Sequence, residues 1–362
     1  MIQKGKDFMN STENEIEQLK KKAEAGDADA QYELGQQYEI GIDVKADASE
    51  SLHWFRKAAA QGHAMAQSQL GDIYSCDVFG QDINLSEAAK WYRKSAEQGY
   101  AFAQNRLGDC YFYGEGVELD QEEAVKWYTK AAEQGDYDAQ YNLGGCYFFG
   151  WGVKEDRAEG VKWYEKSAAH GYFRAQCELA VCYLNGDGID VDYAKGVSLL
   201  QKSARKGYPK AQFNLATCYR LGKGVEQDDV AAICLYHKAA ERGHAKAQCF
   251  LGYAYYKGCN GVEQNYAEAV KWLSKAAKQE NVNAIINLGT CYLRGYGVAI
   301  DYTKAFDLFC KAVQKAKPNS KQKMAASLKI SECYAKGLGV EQNQAEADRW
   351  KSIAGPVEKV HL

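Results

Sequence analysis

The chain has 362 residues, 46% of them hydrophobic and 12% aromatic, which excludes an intrinsically disordered protein. A formal net charge of −3 favours neither nucleic acid nor an anionic membrane as the partner of the whole chain. Only three prolines occur, which points to an almost wholly helical chain with short turns. No run of 18 apolar residues is present, so no transmembrane helix is expected. The first 26 residues lack the apolar core of a signal peptide, and the chain reads as cytoplasmic.

Residues 1–11 are polar and expected to be a disordered tail. Residues 12–26 read as an N-terminal capping helix, because Leu19, Ala23 and Gly26 match the second helix of the units that follow. From 27 to 354 one unit recurs. Its fullest copy is Gly99–Gly135. Ala103, Leu107, Cys110 and Tyr111 fall on one face of a first helix, A. Gly114 and Gly116 end that helix. Asp120 is placed to cap a second helix, B, whose apolar stripe is Ala124, Trp127, Tyr128 and Ala131. Glu122 and Lys126 are spaced for a surface ion pair. Such a hairpin cannot bury both faces alone, so copies must stack.

The copies follow at steps of 36 or 37 residues, marked by Ala-Gln at Ala30, Ala66, Ala103, Ala139, Ala175, Ala211 and Ala247, with Ala284-Ile285 as a degenerate eighth. A ninth helix A runs through Ala326, Ile330, Cys333 and Tyr334, after an insertion at 315–323 that is expected to be a flexible joint. The cap position holds Asp47, Asn84, Asp120, Asp156, Asp192, Asp228, Asn265, Asp301 and Asn343. Because every one is Asp or Asn, the position is structural rather than a row of metal-binding carboxylates. Seven residues later stands Trp or Leu, expected in the core. Residues 355–362 are expected to be a C-terminal tail.

The run Ala103…Leu107-Gly108…Tyr111…Gly114…Gly116-Val117, an Asp cap, then Ala124…Trp127-Tyr128…Ala131 resembles the Sel1-like repeat, a relative of the tetratricopeptide repeat. The match covers roughly 27–354. Repeats 1, 2 and 7 depart from it in the loop, at 41–44, 75–80 and 258–261. The resemblance implies an all-α, right-handed superhelical α/α solenoid of about nine repeats, with helices A lining a concave groove that binds a peptide or protein. By the same resemblance, the residue before the Leu presents an amide or a base to a ligand, which selects Arg106, Asn142, Asn214 and Asn287. Positions that vary while the frame stays fixed add Asn105, Asp109, Phe112 and Tyr113. Phe148 and Trp151 belong to an aromatic-rich stretch, and Trp151, between two loop glycines, reads as an exposed anchor.

Cys110, Cys146, Cys182, Cys218, Cys291 and Cys333 share one slot of helix A. Equivalent helices lie about 10 Å apart, beyond disulfide reach, so these cysteines read as small apolar fillers. The six histidines are scattered and no zinc-ligand spacing occurs. The Gly-x-Gly loops follow no strands and are helix punctuation, not phosphate cradles. No metal, cofactor or catalytic residue is expected. The expected function is a non-enzymatic, monomeric scaffold for a protein partner. The alternatives are a secreted bacterial effector or host-interaction factor on the same solenoid, or an enzyme of cell-wall or β-lactam chemistry, for which no nucleophile beside an oriented base is visible.

Overall fold

The structure, a computed structural model, describes residues 15–42, 44–77 and 82–354. The expected tails at 1–11 and 355–362, and much of the loop of repeat 2, lie outside the described residues. The described part of the first helix, α1, covers 15–24. Nine helix pairs follow. They are α2 and α3 (Ala28–Ile40, Ala48–Ala60), α4 and α5 (Ala64–Ser75, Leu85–Glu97), α6 and α7 (Ala101–Tyr113, Gln121–Glu133), and α8 and α9 (Tyr137–Phe149, Arg157–Ala169). Next come α10 and α11 (Phe173–Asn185, Tyr193–Arg205), α12 and α13 (Pro209–Leu221, Asp229–Glu241), and α14 and α15 (Ala245–Lys257, Tyr266–Lys278). The last are α16 and α17 (Val282–Arg294, Tyr302–Lys315), and α18 and α19 (Lys321–Lys336, Gln344–Ala354). No strand occurs among the described residues.

Each helix B starts where its Asp or Asn side chain accepts from the backbone of the first turn, at 2.8–3.1 Å in all nine repeats. Helices A have a more varied set of caps. Asp27, Asp136 and Asn281 serve, and in two cases a histidine does: His63 and His244 accept through Nδ1 from Ala66 and Ala247. The surface pair on helix B is one residue off the expected register. Lys126 meets Glu123 at 2.8 Å rather than Glu122, and Lys90, Lys162 and Lys271 pair in the same way with a glutamate three residues earlier. In repeats 2, 4 and 7 the residue four before the lysine is Ser86, Ala158 or Ala267, so the glutamate three before it is the acid within reach.

The chain divides into two compact units: residues up to Ala175 with 186–190, and 176–185 with 191 onward. Each is an α/α solenoid in which helix B packs on its own helix A and on the next one. Two devices join successive repeats. The glutamine of Ala-Gln is buried, donates to a carbonyl near the end of the preceding helix B at 2.9–3.3 Å, and in four repeats accepts from the glutamine that closes its own helix B at 2.7–2.8 Å. The second loop glycine sits against the preceding helix B. A Cβ on Gly116, at φ +75°, would lie 2.0 Å from the carbonyl oxygen of Leu85. In repeat 7 the extra loop residue relaxes this approach to 3.7 Å at Gly261.

The cores are small-residue seams. Ala103, Leu107 and Cys110 pack with Ala88, Tyr92 and Ala96 of the preceding helix B and with Trp127, while Ala124, Tyr128 and Ala131 pack with Ala139, Leu143 and Cys146 of the next helix A; all are buried, and Tyr111 is half-buried. Within repeat 3 the backbone of Gly108 touches the ring of Tyr128, where a Cβ would be 2.6 Å away. The Trp/Leu position is less uniform than expected. Trp54, Trp127 and Trp272 are buried, whereas Trp91, Trp163, Trp350, Leu199, Leu235 and Leu308 are half-buried. A lysine three residues on covers five of the tryptophan faces at 3.6–4.4 Å. At the N-terminal end, Leu19 and Ala23 of α1 pack on Ala30, Leu34 and Trp54. The insertion at 315–323 is a short connection, 316–320, closed by Ser320 capping α18.

Candidate groove of helices A

Each unit carries a groove lined by the same register of successive helices A. In the first unit it measures about 530 Å³ and lies along α6, α8 and the start of α10. Phe102, Asn105, Arg106 and Asp109 are the second, fifth, sixth and ninth residues of α6. Asp138 and Asn142 are the second and sixth of α8. Tyr113, Tyr172, Phe173 and Arg174 complete the rim.

A network of fixed polar contacts fills the base of this groove. Asp109 accepts from the hydroxyl of Tyr128 at 2.8 Å and from the amide of Asn142 at 3.2 Å, and that amide also donates to Asn105 at 3.0 Å. The Arg106 guanidinium lies 3.8 Å from Asp109 and 3.7 Å from Asp72 of α4. Asp72 accepts from Tyr92 at 2.6 Å, in the same ninth position that Asp109 occupies. Burial pushes the Asp109 carboxyl up to about 6 against the lowering effect of Tyr128 and Arg106. Burial and the neighbouring carboxylate raise the Tyr128 hydroxyl far above its ordinary range, so it remains a donor.

The second unit's groove, about 510 Å³, lies along α12, α14 and α16. Its floor is Phe213, Cys249, Phe250 and Ile286. Phe250 stacks on Tyr236 at 3.9 Å between ring centroids, and Tyr236 meets Thr217, again a ninth residue, at 3.0 Å. The amides of Asn214, Asn283 and Asn287 border the floor, as do two cations, Arg220 and Lys246. Arg220 lies over the Phe250 ring at 5.6 Å, and its Nε is buried without a hydrogen-bond partner.

Of the residues expected to bind, Asn105, Arg106, Asp109, Tyr113 and Asn142 line the first groove, and Asn214 and Asn287 line the second. Two differ from expectation in detail. Asn105 is buried at 5% exposure, and both amide hydrogens of Asn142 are engaged within the protein, so its carbonyl is the group it offers a ligand. Phe112, Phe148 and Trp151 line neither groove. They form an aromatic cluster with Phe149 at the ends of α6 and α8. Trp151 is 40% exposed, stacked on Phe149 at 4.6 Å and edge-on to Phe112 at 5.5 Å.

Asp138, Arg220, Lys246 and Tyr253 escaped the sequence reading, and Phe102 and Phe250 line the grooves without having been singled out as binding residues. The signal that finds them is register. The second, fifth, sixth and ninth residues of helix A face the groove, joined by Arg220 from a twelfth position, whereas attention to the residue before the Leu finds only the sixth. The repeat-register cysteines are buried, and burial pushes the thiols of Cys110 and Cys146 up to about 12 and those of Cys218, Cys291 and Cys333 to about 11, as fits inert fillers. Among the described residues no cluster of His, Cys, Asp or Glu has the form of a metal site, and no helix is long and apolar enough to cross a membrane.

The Sel1 repeat matches the chain nine times, at 28–63, 64–100, 101–136, 138–172, 173–208, 209–244, 245–281, 282–316 and 325–350. The fold is similar to a solved Sel1 repeat protein from Oxalobacter formigenes, at 30% identity and a TM-score of 0.61 over 85% of this chain and 90% of that one. It is also similar to a protective antigen present in uropathogenic Escherichia coli strains, at 31% identity and a TM-score of 0.58 over 94% and 86%. A 43-residue segment is 49% identical to part of the secretory immunoglobulin A-binding protein EsiB of Escherichia coli O6:H1, which is 12% of this chain and 9% of that protein. The chain spans between 9% and 14% of the length of the curated relatives it matches. The nine matches and the helix pairs they coincide with place this chain in the Sel1 repeat family.

Proposed function

We propose that this protein is a non-enzymatic, monomeric scaffold that binds a peptide or protein partner along its helix-A grooves. One observation carries the reading. The frame positions repeat with little change, while the second, fifth, sixth and ninth residues of helix A differ from repeat to repeat and lie together in one groove in each unit. Variation gathered in a groove is what a recognition surface on a constant frame requires. The test is a photo-crosslinking amino acid placed at Tyr113 or Tyr253 in the grooves and at Lys126 or Lys271 on helices B. Adducts with a partner form from the groove positions. Adducts from helices B alone would contradict the reading.

The aromatic cluster at Trp151 extends the first unit's surface as an anchor. Trp151→Ala weakens partner binding and lowers unfolding stability by only about 1 kcal/mol, the worth of an aromatic pair. A loss of several kcal/mol in urea titration would make it a packing residue instead.

A host-facing role for the same scaffold is the second reading, favoured by the likeness to the protective antigen and to a segment of the immunoglobulin A-binding protein. The thiols discriminate the compartments. A protein that works in a reducing compartment yields all twelve cysteines to a thiol reagent after denaturation without reductant. Protection of most of them would favour export.

A further inference from the structure

We propose that the groove of the second unit takes an extended acidic peptide segment, one in which two side-chain carboxylates flank a large apolar residue. This rests on the scaffold reading above and names the chemistry of the partner.

Four observations converge. The first is charge: Arg220 and Lys246 line the groove and no carboxylate does. Lys210, the second residue of α12, shows the contrast, because it is already paired with Glu178. The Arg220 Nε is enclosed and has no acceptor, while the guanidinium is held in place by the Phe250 ring. Burial, and after it Lys246 and Lys210, pushes the nearby His244 down to about 4.

The second observation is spacing. Arg220 is the twelfth residue of α12 and Lys246 the second of α14, and equivalent helices of a solenoid run parallel. Ten residues at 1.5 Å each put their Cα atoms about 15 Å apart along the axis and one helix apart across it. A single terminal carboxylate reaches only one of them. Two side-chain carboxylates on an extended strand, at about 3.3 Å per residue, reach both with about five residues between.

The third is the floor. Phe213, Cys249, Phe250 and Ile286 are fifth or sixth residues of their helices, at levels along the axis between the second-residue level of Lys246 and the twelfth-residue level of Arg220, and offer an apolar bed for the central residues. The fourth is the set of amides. Asn214, Asn283 and Asn287 border that bed, and each can both donate to and accept from an extended backbone.

The test uses the full chain and a fluorescent, amidated nonapeptide, Gly-Glu-Ala-Leu-Phe-Ala-Ala-Glu-Gly. Versions with both glutamates replaced by glutamine or by lysine, and one with a free C-terminus as its only carboxylate, serve as comparisons. Anisotropy is expected to show the diglutamate peptide binding at least about tenfold tighter than the glutamine peptide, with the lysine peptide weakest and the advantage shrinking as salt rises. Arg220→Gln weakens it about tenfold and Lys246→Gln about threefold, and neither affects the glutamine peptide. Phe250→Ala weakens both peptides about tenfold. Circular dichroism melts confirm that the variants are folded. Equal binding of the glutamate and glutamine peptides, with both still sensitive to Phe250→Ala, would overturn the acidic specificity and leave the scaffold reading standing. Preference for the free C-terminus would overturn the side-chain assignment. Absence of binding to every peptide would also overturn the proposal, and the crosslinking experiment then decides the scaffold reading on its own.

Discussion

In the first unit Arg106 stands between Asp72 and Asp109, and both carboxylates accept from tyrosines of helix B. In the second, Arg220 stands over Phe250 with its Nε unmatched, and the ninth-position partner of the tyrosine is a threonine. The same helix register therefore makes one groove whose central cation is paired with carboxylates and one lined by two cations and no carboxylate. What separates them is a handful of variable positions on one frame. The first groove is polar and internally hydrogen-bonded, while the second is apolar and cationic. A partner that spans both units needs different chemistry at each.

The frame common to both should break hardest. Gly116→Val places a branched side chain at φ +75° against the Leu85 carbonyl, and is expected to cost 3 kcal/mol or more, about the sum of backbone strain and overpacking, in urea unfolding. A loss below about 1 kcal/mol would mean that the second loop glycine does not fix the approach of successive repeats.

The tyrosines separate the units next. Tyr128→Phe strips a donor from a buried carboxylate and is expected to cost about 2–3 kcal/mol. Tyr236→Phe leaves only the neutral Thr217 hydroxyl and is expected to cost about 1 kcal/mol or less. Equal losses would erase the distinction between the two ninth positions.

The pH dependence of the two units has opposite sign. Asp109 holds its proton up to about 6 in the folded chain, above the ordinary carboxyl range, so its contribution to stability is present below about 4 and is lost as pH rises to 6. Asp109→Asn, which keeps an acceptor for Tyr128, is therefore expected to be more stable than the parent by about 1–2 kcal/mol at pH 7 and no more stable at pH 3.5. His244 is depressed, chiefly by burial, to about 4, so its contribution is present above about 6.5 and is lost as pH falls toward 4. His244→Asn preserves the helix cap, as Asn281 shows, and flattens that window. Melting curves from pH 3.5 to 7.5 measure both.

The smallest expected effect concerns the glutamine staple. Gln140 Oε1 is buried without a partner, because the residue that closes its helix B is His170, where four other repeats have glutamine. His170→Gln is expected to restore the bond and stabilise by about 1 kcal/mol. No gain would mean that the carbonyl is satisfied otherwise.

The frame was legible because its signals are local and repeated. Asp120 and its equivalents cap helix B within three residues, and Gly114 and Gly116 end helix A within the same loop. The groove was only half legible. Asp109 looks like a free variable residue until Tyr128, nineteen positions later on another helix, is seen to donate to it. Asn142 looks like an open amide until Asn105 and Asp109 of the preceding repeat occupy it. The cationic character of the second groove arises only when Arg220 at the end of one helix and Lys246 at the start of another fall in one cleft. Charges that cancel along the chain need not cancel across it.

Hydroxyl-radical footprinting of the full chain with and without a bound partner tests the central claim most directly. Tyr113 and Tyr253 line the grooves, whereas Tyr193 and Tyr302 stand 42% and 40% exposed at the starts of helices B. Protection of Tyr113 or Tyr253 with unchanged oxidation of Tyr193 and Tyr302 is the predicted result. Protection of Tyr193 and Tyr302 with the groove tyrosines unchanged would contradict the assignment of binding to helices A.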